Sequence, residues 1–338
     1  MKYKLLDDRG EVIEVYIENA VDILIAYLLL KNYRAKLITN IDWQYKLSSE
    51  AGRRAKRIYV RATIDPLKLA LDKDLNSLRV TGRIIASEIE EGILGRTIGV
   101  DIKIGGHVVF LCQNDCIKLI SHLKQKSSIE FVVIAIDDHI GSIVLVKDRI
   151  IEVSNKAFHG GKLYNQNIMD KFDEIKQFVV DGLNFAASKS VPCILAYPHS
   201  LRRTLKDVIS MYKGKIKVFQ VTSDVGGYEG VINVLKSKEI MKYIGYNRVS
   251  FEFSLYYDIA RLIDQKKIIY GMDVIPAYIF AKKLKLLLTT ADYVVDNLDN
   301  VLPYIEKCVE LGIDIEIIRG ASPLGYLVRK FGGMLGIT

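Results

Sequence analysis

The chain has 338 residues, of which 50% are hydrophobic and 26% are charged, a balance that excludes a disordered, collagen-like or low-complexity protein. At about 150 residues per domain, this length favours two or three domains. The net charge of +8 permits a polyanionic partner and arises mainly in the first two thirds: residues 1–126 carry +5, residues 127–246 carry +3 and residues 247–338 carry 0.

The composition also bears on the cellular compartment. The longest apolar run, residues 20–30, contains Asp22 and is shorter than the ~20 residues that cross a bilayer, so we expect no membrane contact. Asp7 and Asp8 lie where a signal peptide would be apolar, and four cysteines are too few for a disulfide scaffold. We therefore expect a cytoplasmic protein. The spacing of Cys112 and Cys116 is compatible with zinc, but no second pair of ligands follows, which favours core cysteines.

The first part of the chain predicts a helix beside a small, bent sheet. Residues 11–17 alternate as in a strand, and residues 20–30 carry apolar side chains at helical spacing after Asn19, a helix-capping residue. Further strands are predicted over residues 57–64, 78–84, 98–104 and 108–111. Short alternating strands at this spacing favour a strongly bent sheet or barrel.

The remaining chain predicts alternating strands and helices. After a polar linker at residues 124–128, the apolar run 129–136 predicts a strand that is buried on both faces. Strands are predicted over residues 142–146, 150–153, 191–197, 215–221, 284–288 and 313–318. Helices are predicted over residues 165–188, 201–212, 230–243, 252–264, 273–283 and 301–311. A second polar break near residues 245–248 completes a three-domain prediction, with domains at 1–126, 127–246 and 247–338.

The sequence contains none of the standard catalytic signatures: no phosphate-binding loop, no dinucleotide fingerprint, no His-Glu-x-x-His and no Gly-x-Ser-x-Gly. Asp137 and Asp138 follow the predicted buried strand and are weak candidates for holding a divalent cation. The favoured alternative is a turn stabilised by local hydrogen bonds. The five histidines are scattered, and we assign none of them a catalytic role.

Two basic segments are candidates for contact with RNA. Four cations, Arg53, Arg54, Lys56 and Arg57, are predicted to lie on a flexible loop before a strand, where they can pair with phosphates or stack on bases. A solvated loop is an equally weighted alternative. The second segment contains Arg202, Arg203 and Lys206, followed by lysines at 213, 215 and 217, and can track an RNA backbone. For this segment a solvated helix face is the favoured alternative.

Several segments, taken in order, resemble the Pelota family, whose members are related to class I translation release factors. Leu-Leu-Asp-Asp-Arg-Gly-Glu-Val-Ile-Glu-Val at 5–15 and Ala-Val-Asp-Ile-Leu at 20–24 are similar to the family's first strand and helix. Leu-Arg-Val-Thr-Gly-Arg at 78–83, Leu-Gly-Arg-Thr-Ile-Gly at 94–99 and Ile-Ala-Ile-Asp-Asp at 134–138 match later segments. So do Thr-Ser-Asp-Val-Gly-Gly-Tyr at 222–228, Tyr-Gly-Met-Asp-Val at 270–274 and Phe-Gly-Gly-Met at 331–334.

The resemblance implies a multidomain α+β and α/β fold, in which an Sm-like β-barrel at the amino terminus precedes two α/β domains of release-factor type. It implies a monomeric factor of mRNA surveillance and no-go decay that enters the empty A site of stalled ribosomes. The implied partners are the ribosome with its rRNA and mRNA, an elongation factor 1-alpha-like GTPase as in archaea, and an ABC-type ATPase. The Arg53–Arg57 segment takes the place of the family's decoding-site loop, and the last domain is expected to bind partners.

One departure separates the chain from release factors. The loop that carries Gly-Gly-Gln in release factors here reads His159-Gly160-Gly161-Lys162. A lysine has no acceptor with which to orient a water molecule as the glutamine amide does, so we expect no peptidyl-tRNA hydrolysis. The segment after Arg319 also departs from the family's usual acidic stretch.

Two alternative functions stay open at the level of sequence. The family has been credited with a divalent-metal-dependent endoribonuclease activity, for which residues 1–126 contain acidic side chains but no spacing that marks a site. The other alternative is an RNA-binding protein unrelated to ribosomes. Binding is expected to need no cofactor, whereas the nuclease would need a divalent cation.

Overall fold

The computed structural model describes residues 2–7, 11–47, 54–89, 92–112, 116, 119–120, 128–147, 149–158 and 168–338. The chain divides into two compact units. One unit combines Met1–Lys126 with Leu262–Thr338, and the other is Ser127–Arg261. The domain boundaries drawn from the sequence stay a prediction.

An antiparallel sheet and one helix make up the amino-terminal part of the first unit. The strands are β1 (Lys2–Leu5), β2 (Val12–Tyr16), β3 (Lys36–Leu47), β4 (Arg54–Leu71), β5 (Ser77–Ser87), β6 (Thr97–Lys103) and β7 (His107–Leu111), in the spatial order β1-β2-β7-β3-β4-β5-β6. Strands β1 and β6 are the edges of this sheet, so the described strands do not close into a barrel. The Sm-like barrel therefore stays a prediction.

Helix α1 (Ala20–Lys31) is buried on all sides rather than on one face. The Asn19 side chain accepts hydrogen bonds from the backbone N–H groups of Val21 and Asp22, as the sequence predicts. Asp22 in turn accepts one from the backbone N–H of Glu18 at 2.8 Å. The helix packs against β4 and β5 on the sheet and against a strand of the carboxy-terminal segment, which explains why nearly every position is apolar.

The carboxy-terminal part of the first unit is a four-stranded mixed sheet with helices. Its strands are β13 (Ile268–Tyr270), β14 (Leu286–Thr290), β15 (Asp314–Ile318) and β16 (Met334–Ile337), in the order β13-β16-β14-β15. Its helices are α7 (Ile275–Phe280), α8 (Ala291–Asp296), α9 (Leu298–Glu310) and α10 (Pro323–Lys330). The strand that α1 contacts is β15, an edge strand, and the buried apolar residues of both segments form one continuous cluster.

The second unit is a five-stranded sheet covered by helices on both faces. Its strands are β8 (Phe131–Ile136), β9 (Ile140–Val146), β10 (Ile150–Ala157), β11 (Cys193–Tyr197) and β12 (Val218–Thr222), in the order β10-β9-β8-β11-β12. Its helices are α2 (Ile168–Lys189), α3 (Arg202–Ser210), α4 (Gly227–Lys236), α5 (Lys238–Ile244) and α6 (Arg248–Asp264), and the residues of α6 after Arg261 belong to the first unit. All residues of β8 and β11 are buried, as the continuous apolar run at 129–136 predicts for the first of them.

The β3–β4 pairing differs from the sequence-based expectation in a way that bears on the candidate site. Strand β3 has no counterpart among the predicted strands, and its pairing with β4 extends to Leu47 and Arg54. Three of the four cations expected on a loop, Arg54, Lys56 and Arg57, therefore lie in a strand. The expectation of a loop was wrong because it considered local sequence only, whereas the pairing with β3 decides the conformation.

No helix in the described part of the chain is long and apolar enough to cross a membrane.

Candidate nucleic-acid interface

The basic face of α3, in the second unit, is one candidate surface for contact with nucleic acid. Leu201, Leu205, Val208 and Tyr212 are spaced by three or four residues and are buried in the core that this segment shares with α2 and the sheet, which orients the helix. The cations of the same segment fall on the opposite side and are exposed: Arg202, Arg203 and Lys206. The sequence pattern of this helix thus separates an apolar anchor from a cationic outer face.

Three further lysines extend this cationic face through the turn between α3 and β12. Lys213, Lys215 and Lys217 are exposed, and Gly214 supplies the left-handed backbone (φ 87°) that the turn needs. The ammonium of Lys215 lies 5.5 Å from the ring centroid of Tyr212. Within the described residues, none of the six cations forms an ion pair with a carboxylate. Their charges are therefore available to an anionic partner.

The β3–β4 hairpin, which belongs to the first unit, is a separate candidate surface. The backbone register pairs Leu47 with Arg54, Tyr45 with Lys56 and Gln44 with Arg57. Arg53 lies outside the described residues. A paired two-stranded ribbon holds the backbone of Arg54, Lys56 and Arg57 in a defined register.

Asp137, a weak candidate for a metal ligand in the sequence, accepts three backbone hydrogen bonds. Its Oδ1 accepts hydrogen bonds from the backbone N–H groups of His139 at 2.7 Å and Ile140 at 2.8 Å, and its Oδ2 accepts one from Gly226 at 2.8 Å. Desolvation raises the pKa of this carboxyl, but the three backbone hydrogen bonds outweigh desolvation and hold the pKa below its usual value. This is the local hydrogen-bonded turn that the sequence offered as the favoured alternative.

The glycines of the Ser/Gly junction at 222–228 allow this arrangement. A methyl group at Gly226 would overlap the backbone nitrogen of Asp137 and the carbonyl oxygen of Ile140. Gly227, the first residue of α4, has a φ of 64°. The close backbone approach therefore requires a residue without a side chain, and the Asp137 carboxylate joins the β8–β9 turn to the start of α4. The sequence signal was the Gly-Gly pair, but its partner could not be inferred from one sequence.

The remaining candidate residues are Asp138, the equivalent of the release-factor loop, and the side chains that could hold a metal ion. Asp138 is exposed. The release-factor-loop equivalent, His159-Gly160-Gly161-Lys162, lies outside the described residues. Among the residues that the structure describes, no group of three or more His, Cys, Asp and Glu side chains is arranged to hold a metal ion. All four cysteines are buried and carry free thiols.

Comparisons with known proteins place the chain near proteins named Pelota. No protein-family model matches it. The protein named "Protein pelota homolog" from Desulfurococcus amylolyticus is 20% identical over 342 residues, covering 98% of this chain and 95% of the relative. A protein of the same name from Pyrococcus horikoshii is 23% identical over 287 residues, covering 80% and 79% of the two chains.

A solved structure extends the similarity to the fold. The crystal structure of the Thermoplasma acidophilum Pelota protein aligns with a TM-score of 0.57 at 16% identity, covering 100% of this chain and 98% of that one. The resemblance to the Pelota family that the sequence motifs indicate is confirmed by these matches. The chain has the mixed α+β multidomain fold of a Pelota protein.

Proposed function

We propose that this chain, as a relative of the Pelota proteins, is a ribosome-rescue factor that enters the empty A site of stalled ribosomes and promotes their dissociation. The observation that carries the proposal is full-length similarity to a Pelota homologue, which covers 98% of this chain and 95% of the relative. Because the alignment extends over all three predicted regions, we assign a role to each: binding in the decoding site for residues 1–126 and docking of partners for the remaining regions.

The cationic surfaces support an RNA partner. Within the described part of the chain, cations without carboxylate partners are exposed on α3 and its following turn, and a further set lies on the paired strands of the hairpin. Electrostatic contact with phosphates supplies affinity that does not depend on base sequence. A rescue factor needs this property, because ribosomes stall on many different messages.

The finer parts of the proposal follow from the family resemblance. The amino-terminal sheet acts as an Sm-like decoding-site domain, and an elongation factor 1-alpha-like GTPase and an ABC-type ATPase cooperate with a monomer in the cytoplasm. The segment His159-Gly160-Gly161-Lys162 replaces Gly-Gly-Gln, so dissociation proceeds without hydrolysis of peptidyl-tRNA. No chemical step is required of the chain in this role, and its contribution is binding energy.

Co-sedimentation with stalled archaeal ribosomes tests the proposal. We expect binding to ribosomes with an empty A site, strengthened by elongation factor 1-alpha with a non-hydrolysable GTP analogue, while the mRNA stays intact. Absence of binding in both conditions would refute the rescue function. Cleavage of the mRNA that stops with a chelator and is retained by the isolated chain would support the endoribonuclease alternative instead.

A charge-matched pair of variants tests the α3 surface. The double variant Arg202→Gln with Arg203→Gln removes two exposed cations, and we expect about 10- to 30-fold weaker binding and a salt slope lower by about 1.5. The control Lys147→Gln with Lys176→Gln removes the same charge from cations that already pair with Glu130 and Asp173. Equal losses in both variants would mean that net charge, and not the α3 face, governs binding.

A further inference from the structure

Four exposed side chains form a two-by-two block on the outer surface of the β3–β4 hairpin. The register places Asp42 opposite Tyr59 and Asn40 opposite Arg61. Tyr59 is 82% exposed, the highest value among the large hydrophobic side chains that the structure describes. The other three residues are also exposed. Residues directly opposite in an antiparallel pair lie on the same face, so these four side chains share one surface.

The inner face of the same ribbon explains why the block is held in place. Ile41 and Val60 are opposite each other in the register and are buried, with exposures of 3% and 1%. Ala62 and Ile64 continue this buried row along β4. The backbone beneath Tyr59 is therefore fixed by core packing, whereas its ring contributes little to that packing. A phenol ring in this position can bind a flat ligand with little loss of conformational entropy, because its backbone is already fixed.

The size and chemistry of the block fit an unpaired nucleobase. Opposite side chains in an antiparallel pair are about 5 Å apart, and alternate residues along a strand are about 7 Å apart, so the block matches one base in area. An exposed tyrosine ring stacks on bases of any sequence. The carboxylate of Asp42, the amide of Asn40 and the guanidinium of Arg61 supply the acceptors and donors that read base edges.

The block also continues the basic segment of the hairpin. Arg57 precedes Tyr59 by two residues on β4, which is about 7 Å of strand, so the two positions lie on the same face of the ribbon. A single strand of RNA with a phosphate at the position of Arg57 would therefore bring a base within reach of the ring. Asp42 is unfavourable next to a phosphate but favourable next to the amino group of a base, which distinguishes this block from a simple phosphate track.

We propose that Tyr59 is a base-stacking residue, and that the block Asn40, Asp42, Tyr59 and Arg61 forms a subsite for one unpaired nucleobase of single-stranded RNA. The subsite rests on the proposed RNA-binding role of the hairpin and specifies its ligand. It also gives the hairpin a contact with RNA that does not depend on charge. Sequence analysis missed Tyr59 because β3, its partner strand, was not predicted.

Binding of the full-length chain to a short single-stranded RNA of mixed sequence tests the subsite, with an abasic RNA of equal length as a second probe. We expect Tyr59→Ala to weaken binding to the normal RNA about tenfold or more and Tyr59→Phe to retain it, because the ring stacks and the hydroxyl does not. With abasic RNA, the wild type and Tyr59→Ala should bind equally. The salt slope should stay unchanged in Tyr59→Ala and fall in Arg57→Gln.

Tyr326→Ala is the matched control, since Tyr326 is a tyrosine on α10 that is 56% exposed. We expect this variant to bind RNA like the wild type. If Tyr59→Ala bound the normal RNA as tightly as the wild type, the stacking subsite would be refuted while the proposed function stood. If the wild-type chain bound neither RNA nor stalled ribosomes, the proposed function would fail and the subsite with it.

Discussion

Replacing Asp137 with alanine should destabilise the Ser127–Arg261 unit in a way that can be calculated from three hydrogen bonds. The bond to the backbone N–H of Gly226 spans 89 positions in the sequence and involves a buried donor. Leaving such a donor without an acceptor costs about 1–3 kcal/mol. The donors of His139 and Ile140 are exposed or half-buried and can regain water, so each adds less. We expect a total loss of about 2–4 kcal/mol in the free energy of unfolding.

The stabilisation by the Asp137 carboxylate should depend on pH, and the direction of this dependence follows from the lowered pKa of the group. Because the folded protein holds the pKa of Asp137 below its usual value, the stabilisation is fully present above the pKa of the unfolded chain, about 4. It is lost as the pH falls through the lower, folded pKa. The difference in stability between the wild type and Asp137→Asn should therefore be constant near neutral pH and should shrink below a pH of about 4.

Hydrogen exchange under increasing urea is the suitable assay, because peptides from β8 and β9 report on this unit alone and peptides from β4 and β5 report on the other. Asp138→Ala is the matched control, since Asp138 is the neighbouring acid and is exposed. We expect a change of less than about 0.5 kcal/mol for it. Equal destabilisation by the two substitutions, or an Asp137→Ala variant as stable as the wild type, would refute the assignment of Asp137 as the residue that joins the turn to α4.

Two further predictions concern buried groups. Leu28→Ala in α1 should lower the free energy of unfolding of the first unit by about 3–4 kcal/mol because the side chain is fully buried, whereas Leu28→Met should lower it by less than about 1.5 kcal/mol. Urea unfolding followed on β4 peptides measures both changes. A loss of less than about 1 kcal/mol for the alanine variant would contradict the packing. Iodoacetamide at about pH 8 should leave Cys193 and Cys308 unmodified until the chain unfolds. The reason is that burial raises the pKa of both thiols, that of Cys308 to about 12. Rapid labelling of either residue in the native protein, detected by mass spectrometry, would contradict this prediction.

Local patterns in the sequence were sufficient for elements whose conformation is decided by their own residues. The start of α1 could be predicted from Asn19, because a capping side chain acts on N–H groups two and three residues away. The strand at Phe131–Ile136 could be predicted because a strand covered on both faces is apolar throughout. In both cases the interaction that fixes the element is nearby in sequence or leaves a continuous signal.

Pairings between distant segments could not be predicted in the same way. Strand β3 alternates Ile41, Trp43 and Tyr45 with polar residues, as a half-buried strand does, but this local pattern does not reveal that β4 is its partner or how far the pairing extends. Missing β3 led to the expectation of a loop at Arg54, Lys56 and Arg57. The contact between Asp137 and Gly226 could not be predicted for the same reason, since either residue alone is typical of an ordinary turn.

The environment of α1 shows how one helix can link two distant parts of the chain. The polar contacts between these parts are exposed: Lys31 pairs with Asp299 at 2.9 Å, and the Asn32 amide donates to Glu306 at 3.1 Å. Exposed pairs of this kind contribute about 0–1 kcal/mol each, far less than a buried leucine. The apolar residues of α1 that face away from its own sheet therefore supply most of the attachment to β15. Those residues pack on both sheets. Substitutions that destabilise α1 should therefore lower the stability of residues 262–338 as well as that of residues 1–126, although the whole second unit separates the two segments in the sequence.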